Sequence, residues 1–70
     1  MTGAELKARR TAKGFTQKGL GLAVGYPENS AEKAVQQWEY DKHPIPIKHY
    51  RKLAKLLDLT LDDMVPYDDE

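Results

Sequence analysis

The ten residues Ala31 to Tyr40, AEKAVQQWEY, constrain this chain more than any other stretch, because they divide into two faces at helical spacing. Val35 and Trp38, with Ala31 and Ala34 beside them, recur at i, i+3 and i+4, the stripe of a helix packed on a core. Glu32, Lys33, Gln36 and Gln37 fall on the other face. Long amide and charged side chains at that spacing are what a helix needs to reach base edges in a major groove, where Gln pairs with adenine and Lys with guanine. A solvated helix surface has much the same composition, so the surroundings must decide between the two.

Seventy residues allow one domain and a small core. A chain of this size buries only about 60% of its unfolded surface, so its packing must be economical. It has no cysteine for a disulfide or a thiolate metal site, which fits a reducing cytoplasm. No apolar run approaches a membrane span and the N-terminus lacks a signal-peptide core, so the expectation is a soluble, cytoplasmic protein. The net charge of zero hides a polarity. Residues 1 to 55 hold eleven Lys or Arg against five acids, a balance of +6, and residues 56 to 70 hold six acids and no base, a balance of −6. A basic body is the footprint of a nucleic-acid binder, although a pI near 6.7 also suits a solvated surface with a solubilising acidic tail.

The chain reads as helices throughout. Thr2 and Glu5 form a capping box for a first helix running to about Lys13 and stopped by Gly14. Thr16 caps a second over Gln17 to Val24, with Leu20, Ala23 and Val24 as its stripe and Gly25 as its end. Gly19 and Gly21 are out of place there, each costing about 1 kcal/mol relative to alanine. At least one of them, Gly21 for choice, should let another helix come close.

Tyr26 to Ser30 reads as a connector, with Asn29 or Ser30 capping the third helix. If Asn29 is the cap, Glu32 completes a capping box, a structural job that competes with groove reading and is favoured by the helix dipole. Asp41 to Pro46 breaks the chain, Pro46 suits the first position of a fourth helix, and Ile47, Tyr50, Leu53, Ala54 and Leu57 supply its stripe. Thr60 to Asp63 can cap a short fifth helix, stapled by Leu59 and Met64. Residues 1–66 would then form one domain and residues 67–70 an acidic tail.

Catalysis has little to stand on. Ser30 is the only serine, and His43 and His49, in a break and on a polar helix face, have no spacing to a nucleophile. Asp62-Asp63 and Asp68-Asp69 lack the glycine and terminal glutamate of a calcium loop. No phosphate-cradling glycine motif appears, so no cofactor, metal or small-molecule ligand is expected and the chain does not read as an enzyme. Trp38 shares the Val35 face and reads as core, not as a base-stacking platform. Tyr26 either lines a partner surface or packs over Gly25.

The order Leu6, Arg10, Gly14-Phe15-Thr16-Gln17, Leu20, Gly25, Val35, Trp38-Glu39, Leu53-Ala54 and Leu57-Asp58-Leu59 resembles the lambda-repressor-like, xenobiotic-response-element (Cro/C1-type) helix-turn-helix family over about residues 4 to 65. The resemblance implies an all-α, compact five-helix domain whose second and third helices form the helix-turn-helix, the third entering the major groove of double-stranded DNA. It matches Thr16 and Gln17 to residues that hold a phosphate. Lys33 and Gln37 match base-reading positions, with Glu32 and Gln36 next in line, and Arg10 and Glu39 match a structural pair across the first and third helices. Arg9, Lys18, Lys42 and His43 complete the expected backbone contacts.

This sequence departs from the family pattern in three places. It has about four extra residues between Gln17 and Trp38, placed in Gly25 to Ser30; it has Asp41 where glycine often ends the third helix; and it has two Glu against one Lys on the reading helix. The expectation is a transcriptional regulator, a repressor, acting as a homodimer. The alternative is a protein-interaction module, antitoxin-like or adaptor, with little DNA binding.

Overall fold

Thr2 opens the first helix with a two-way cap: Glu5 N–H donates to its hydroxyl at 3.1 Å, and its own N–H donates to the Glu5 carboxylate at 2.9 Å. In the computed structural model, which describes residues 1–60, α1 spans Gly3–Ala12, α2 Gln17–Val24, α3 Glu28–Glu39 and α4 Tyr50–Leu57, with a single 3-10 turn at Ile47–His49 before α4. Four helices stand among the described residues where five were expected. The fifth helix, the Met64 staple and the acidic tail fall beyond Thr60, outside the described residues.

The helices end by one device. After α1, Phe15 N–H reaches back to Arg10 O and Gly14 N–H to Thr11 O; after α2, Tyr26 reaches Gly21 and Gly25 reaches Leu22; after α3, Lys42 reaches Gln37 and Asp41 reaches Trp38. These paired back-bonds satisfy orphan carbonyls around a residue with positive φ. Gly14 and Gly25 supply it at 82° and 123°, whereas α3 and α4 use Asp41 and Asp58, at 57° and 55°. Asp41 justifies its place with its side chain, since its carboxylate accepts the Gly3 N–H at 3.0 Å and ties the start of α1 to the end of α3.

The core is Leu6, Leu20, Val24, Ala31, Val35, Trp38, Leu53, Leu57 and Leu59, all buried. Gly21 is the point where α2 meets α3: a Cβ there would stand 2.3 Å from the Ala31 carbonyl oxygen. This is the close approach expected of it. Gly3 does the same for α1, its missing Cβ facing the Glu39 carbonyl at 2.1 Å. Because Gly21 takes the contact, α2 buries Leu20, Gly21 and Val24, and Ala23, assigned to the stripe, is exposed.

The third helix corrects the sequence reading most. It begins at Glu28, not at Ala31, and neither Asn29 nor Ser30 is its cap. Pro27, with φ −68°, occupies the cap position without a side-chain bond, and its carbonyl accepts the Ser30 and Ala31 N–H groups at 3.0 and 2.9 Å. Glu28 supplies first-turn negative charge to the dipole. The extra residues therefore lengthen the helix at its front, and the connector from α2 is the short Gly25-Tyr26-Pro27. Glu32 is released from the capping box and stands exposed one turn further in. Pro46 likewise precedes the 3-10 turn instead of opening α4, and Ile47, counted on the apolar stripe, is 79% exposed.

Candidate nucleic-acid interface

The face opposite the core on α2 and α3 carries the polar residues singled out above, and part of it is wired together. Arg10 and Glu39 form a buried ion pair, Arg10 Nε to Glu39 Oε2 at 2.6 Å, with side chains only 8% and 2% exposed. Arg10 also donates from Nη1 to the Phe15 carbonyl at 2.8 Å and from Nη2 to Glu39 Oε1 at 3.4 Å. Burying two charges is tolerable only where hydrogen bonds satisfy their remaining donors and acceptors. Here α1, the α1–α2 loop and α3 supply them together.

From that pair a chain of bonds runs outwards. Gln17, first residue of α2, donates from Nε2 to Glu39 Oε1 at 3.0 Å. Gln36 donates from Nε2 to Gln17 Oε1 at 3.2 Å and to Glu32 Oε2 at 3.3 Å. Gln17 and Gln36 are half-buried and Glu32 is exposed, so the series passes from core to surface.

The remaining site residues sort by position. Lys33 and Gln37 line a groove with Tyr26, His43, Pro44 and Pro46. Lys33 is exposed and Gln37 half-buried, and the side chain of neither has a hydrogen-bonding or ionic partner among the described residues. Thr16 caps α2 by accepting the Gly19 N–H at 2.9 Å, which leaves its own O–H to donate elsewhere. Lys18 is not free: it pairs with Glu28 at 2.9 Å, joining the first turn of α2 to the first turn of α3. That hydrogen bond and the mutual charge raise the Lys18 pKa and lower that of Glu28. Arg9, Lys42 and His43 are exposed, the last two just after the positive-φ Asp41.

Three residues that shape the site were not assigned to it from the sequence. Glu28 holds Lys18, and a Pro followed by Glu is the signal that marked that helix start. Tyr26 and His49 are the other two. Tyr26 sets its ring edge-on to Trp38 at 5.8 Å between centroids, and His49 Nε2 lies 3.0 Å from the Tyr26 hydroxyl. His49 is thus half-buried against aromatics and not on a polar face; burial, then Lys48 and Lys52, lower its pKa below 6.5. Tyr26 packs on Trp38, where Gly25 was expected, and lines the groove beside Lys33 and Gln37.

Two helices joined by a three-residue turn, locked at Gly21 and Ala31, with a polar face on the second, define a helix-turn-helix DNA-binding domain. The chain belongs to the Cro/C1-type helix-turn-helix family, whose model, described as "Helix-turn-helix", matches residues 6–64. Among solved structures, the crystal structure of the transcriptional regulator BswR is similar, with a TM-score of 0.84 and 33% sequence identity over 99% of this chain and 68% of that one. Comparison with curated proteins finds no match. No helix among the described residues is long and apolar enough to cross a membrane, and no cluster of three or more metal-ligating side chains occurs among them.

Proposed function

We propose that the chain is a sequence-specific regulator of transcription that reads the major groove of double-stranded DNA with α3, acting as a repressor and as a homodimer. The observation that carries this reading is the backbone contact at Gly21, which fixes α3 against α2 with Lys33, Gln36, Gln37 and Glu32 facing away from the core. Lys33 and Gln37, unpaired among the described residues, are ready to contact bases. Thr16, Gln17, Lys18, Arg9, Lys42 and His43 surround them as backbone contacts, which set register while base contacts set choice of site. Lys18 can serve a phosphate only by sharing or leaving Glu28. Dimers of such domains place half-sites about one helical turn apart. Residues 1–66 form the domain in this reading and residues 67–70 an acidic tail.

The protein-interaction alternative has less behind it, since the large exposed apolar side chains among the described residues, Leu22, Tyr40 and Ile47, lie on α2, just after α3 and on the 3-10 turn. The test is selection of bound duplexes from a random-sequence pool. A motif with two-fold symmetry, lost at one position in Gln37→Ala while binding to random DNA changes little, supports the reading. No enrichment even at low salt rejects it.

A further inference from the structure

The chain of bonds from Arg10 to Glu32 has a direction, and the direction fixes what the reading face can recognise. A guanidinium only donates and a carboxylate only accepts. Arg10 therefore saturates one side of Glu39, and Gln17 must turn its NH₂ towards Glu39 to bond with it. That places the Gln17 carbonyl outwards, where it can only accept. Gln36 answers with its own NH₂, whose second hydrogen goes to the Glu32 carboxylate. Rotating the Gln36 amide by half a turn would set its oxygen against a carbonyl and a carboxylate together. Gln36 is held between two acceptors, and its carbonyl oxygen has no partner among the described residues.

We infer that Gln17 and Glu39 are positioning residues for base choice: they fix the polarity of Gln36 so that Gln36 and Glu32 present hydrogen-bond acceptors to the groove. The bases that meet such a surface are those with an exocyclic amino group, adenine through N6 and cytosine through N4, while the keto groups of guanine and thymine are refused. A free Gln side chain has no such preference, since it offers a donor and an acceptor equally. This inference rests on the DNA-reading proposal above.

The test uses the full chain and three proteins: the unaltered protein, Gln36→Met and Gln17→Met. Pool selection with Gln36→Met identifies the position that Gln36 reads, as the one whose preference disappears. At that position the unaltered protein should prefer adenine or cytosine over guanine or thymine by about tenfold, the scale of one good base contact. In Gln17→Met the Gln36 amide loses one of its two acceptors and keeps only the bond to Glu32, so it turns over more readily and the ratio should fall several-fold. The ratio between bases is the readout, because loss of Gln17 can also lower overall affinity through the backbone. An unchanged ratio in Gln17→Met, or a guanine or thymine preference in the unaltered protein, overturns the inference.

A second measurement needs neither DNA nor a folded variant. In the free protein, the side-chain amide protons of Gln36 should exchange with solvent several-fold more slowly than those of Gln37, whose side chain makes no bond among the described residues. Equal exchange rates overturn the relay directly. If the unaltered protein selects no motif, the DNA reading itself fails and the inference falls with it; a motif indifferent to Gln17 removes the relay alone.

Discussion

Replacing Gly21 by alanine separates two effects that usually act together. In an ordinary helix interior the change gains about 1 kcal/mol, because alanine is the better helix former. At Gly21 the new Cβ would lie 2.3 Å from the Ala31 carbonyl oxygen, 2.6 Å from its carbon and 2.7 Å from its Cα. All three are backbone atoms of a buried residue, so no rotamer change relieves the overlap and α3 must move away from α2 as a body. Overpacking of that kind costs about 3 kcal/mol or more. The net loss is then at least about 2 kcal/mol from a domain whose total stability is on the order of 4–10 kcal/mol. The melting temperature, followed by far-ultraviolet circular dichroism, should drop by about 10 °C or more. Gly19→Ala is the internal control, two residues away in the same helix. Its Cβ would touch the Phe15 ring at an ordinary 3.9 Å and crowd the Thr16 hydroxyl at 2.9 Å, and the Thr16 side chain can rotate at the expense of a cap bond worth about 1 kcal/mol. The gain and the loss nearly cancel, and Gly19→Ala should melt near the unaltered protein. A Gly21→Ala protein as stable as the parent would refute the claim that this contact sets the angle of α3.

Arg10→Met leaves Glu39 buried without its cation and should lose about 3–5 kcal/mol in urea unfolding, while the double variant with Glu39→Leu should recover part of that loss; a double as weak as the two losses added would count against the pairing. His49 has a lowered pKa in the folded protein, so its contribution is complete above its ordinary value of 6.5 and is lost as the pH falls through the folded value. Thermal stability should decline between pH 7.5 and 5.5 and the slope should flatten in His49→Gln, which keeps a partner for the Tyr26 hydroxyl; equal slopes would dispose of the assignment. Asp58 holds a left-handed conformation with only an exposed partner, Lys13, whereas Asp41 in the same conformation accepts the Gly3 N–H. Asp58→Gly should therefore raise the melting temperature and Asp41→Gly should not, and a rise in both would show that the Asp41 bond contributes nothing.

What could be read in the sequence follows from which signals are local. The α1 capping box, the Thr16 cap and the glycine stops at Gly14 and Gly25 are each decided within a few residues, and the structure has them in place. The close approach at Gly21 was legible because a helix former was conspicuously missing; Gly3 was not, since a glycine in a first turn raises no such alarm. The start of α3 went wrong because Asn29 and Ser30 are strong cap residues by type, and the tertiary bond from Lys18 to Glu28 favours the earlier start. Ile47 misled for a related reason: its helical spacing to Tyr50 is real, but the 3-10 turn rotates it out of the stripe. In the site, residue types were visible and their connections were not. Nothing in the spacing of Gln17, Gln36 and Glu39 announces that they bond in series, because the series closes only when α2 and α3 are packed.

Pairing also changes what the charge count means for affinity. Two of the three glutamates on α3 are neutralised by cations from other helices, Glu39 by Arg10 and Glu28 by Lys18, leaving Glu32 as the one carboxylate of that helix without an ion pair among the described residues, although its charge also acts on Lys18. The same pairs remove Arg10 and Lys18 from the supply of phosphate contacts. Of the cations proposed for the interface, Lys33, Arg9 and Lys42 remain unpaired among the described residues. Each phosphate neutralised contributes about −0.9 to the slope of log K against log salt, so a protomer of this chain should show a slope of about −3. Titrating a selected duplex across salt concentrations measures it, and Lys42→Ala should bring the slope closer to zero by about one unit. Release of Arg10 and Lys18 from their carboxylates would bring the count to five and the slope to about −4.5 per protomer. In that case the buried pair would open on binding, and the fixed polarity of the reading face would not survive the complex it is meant to specify.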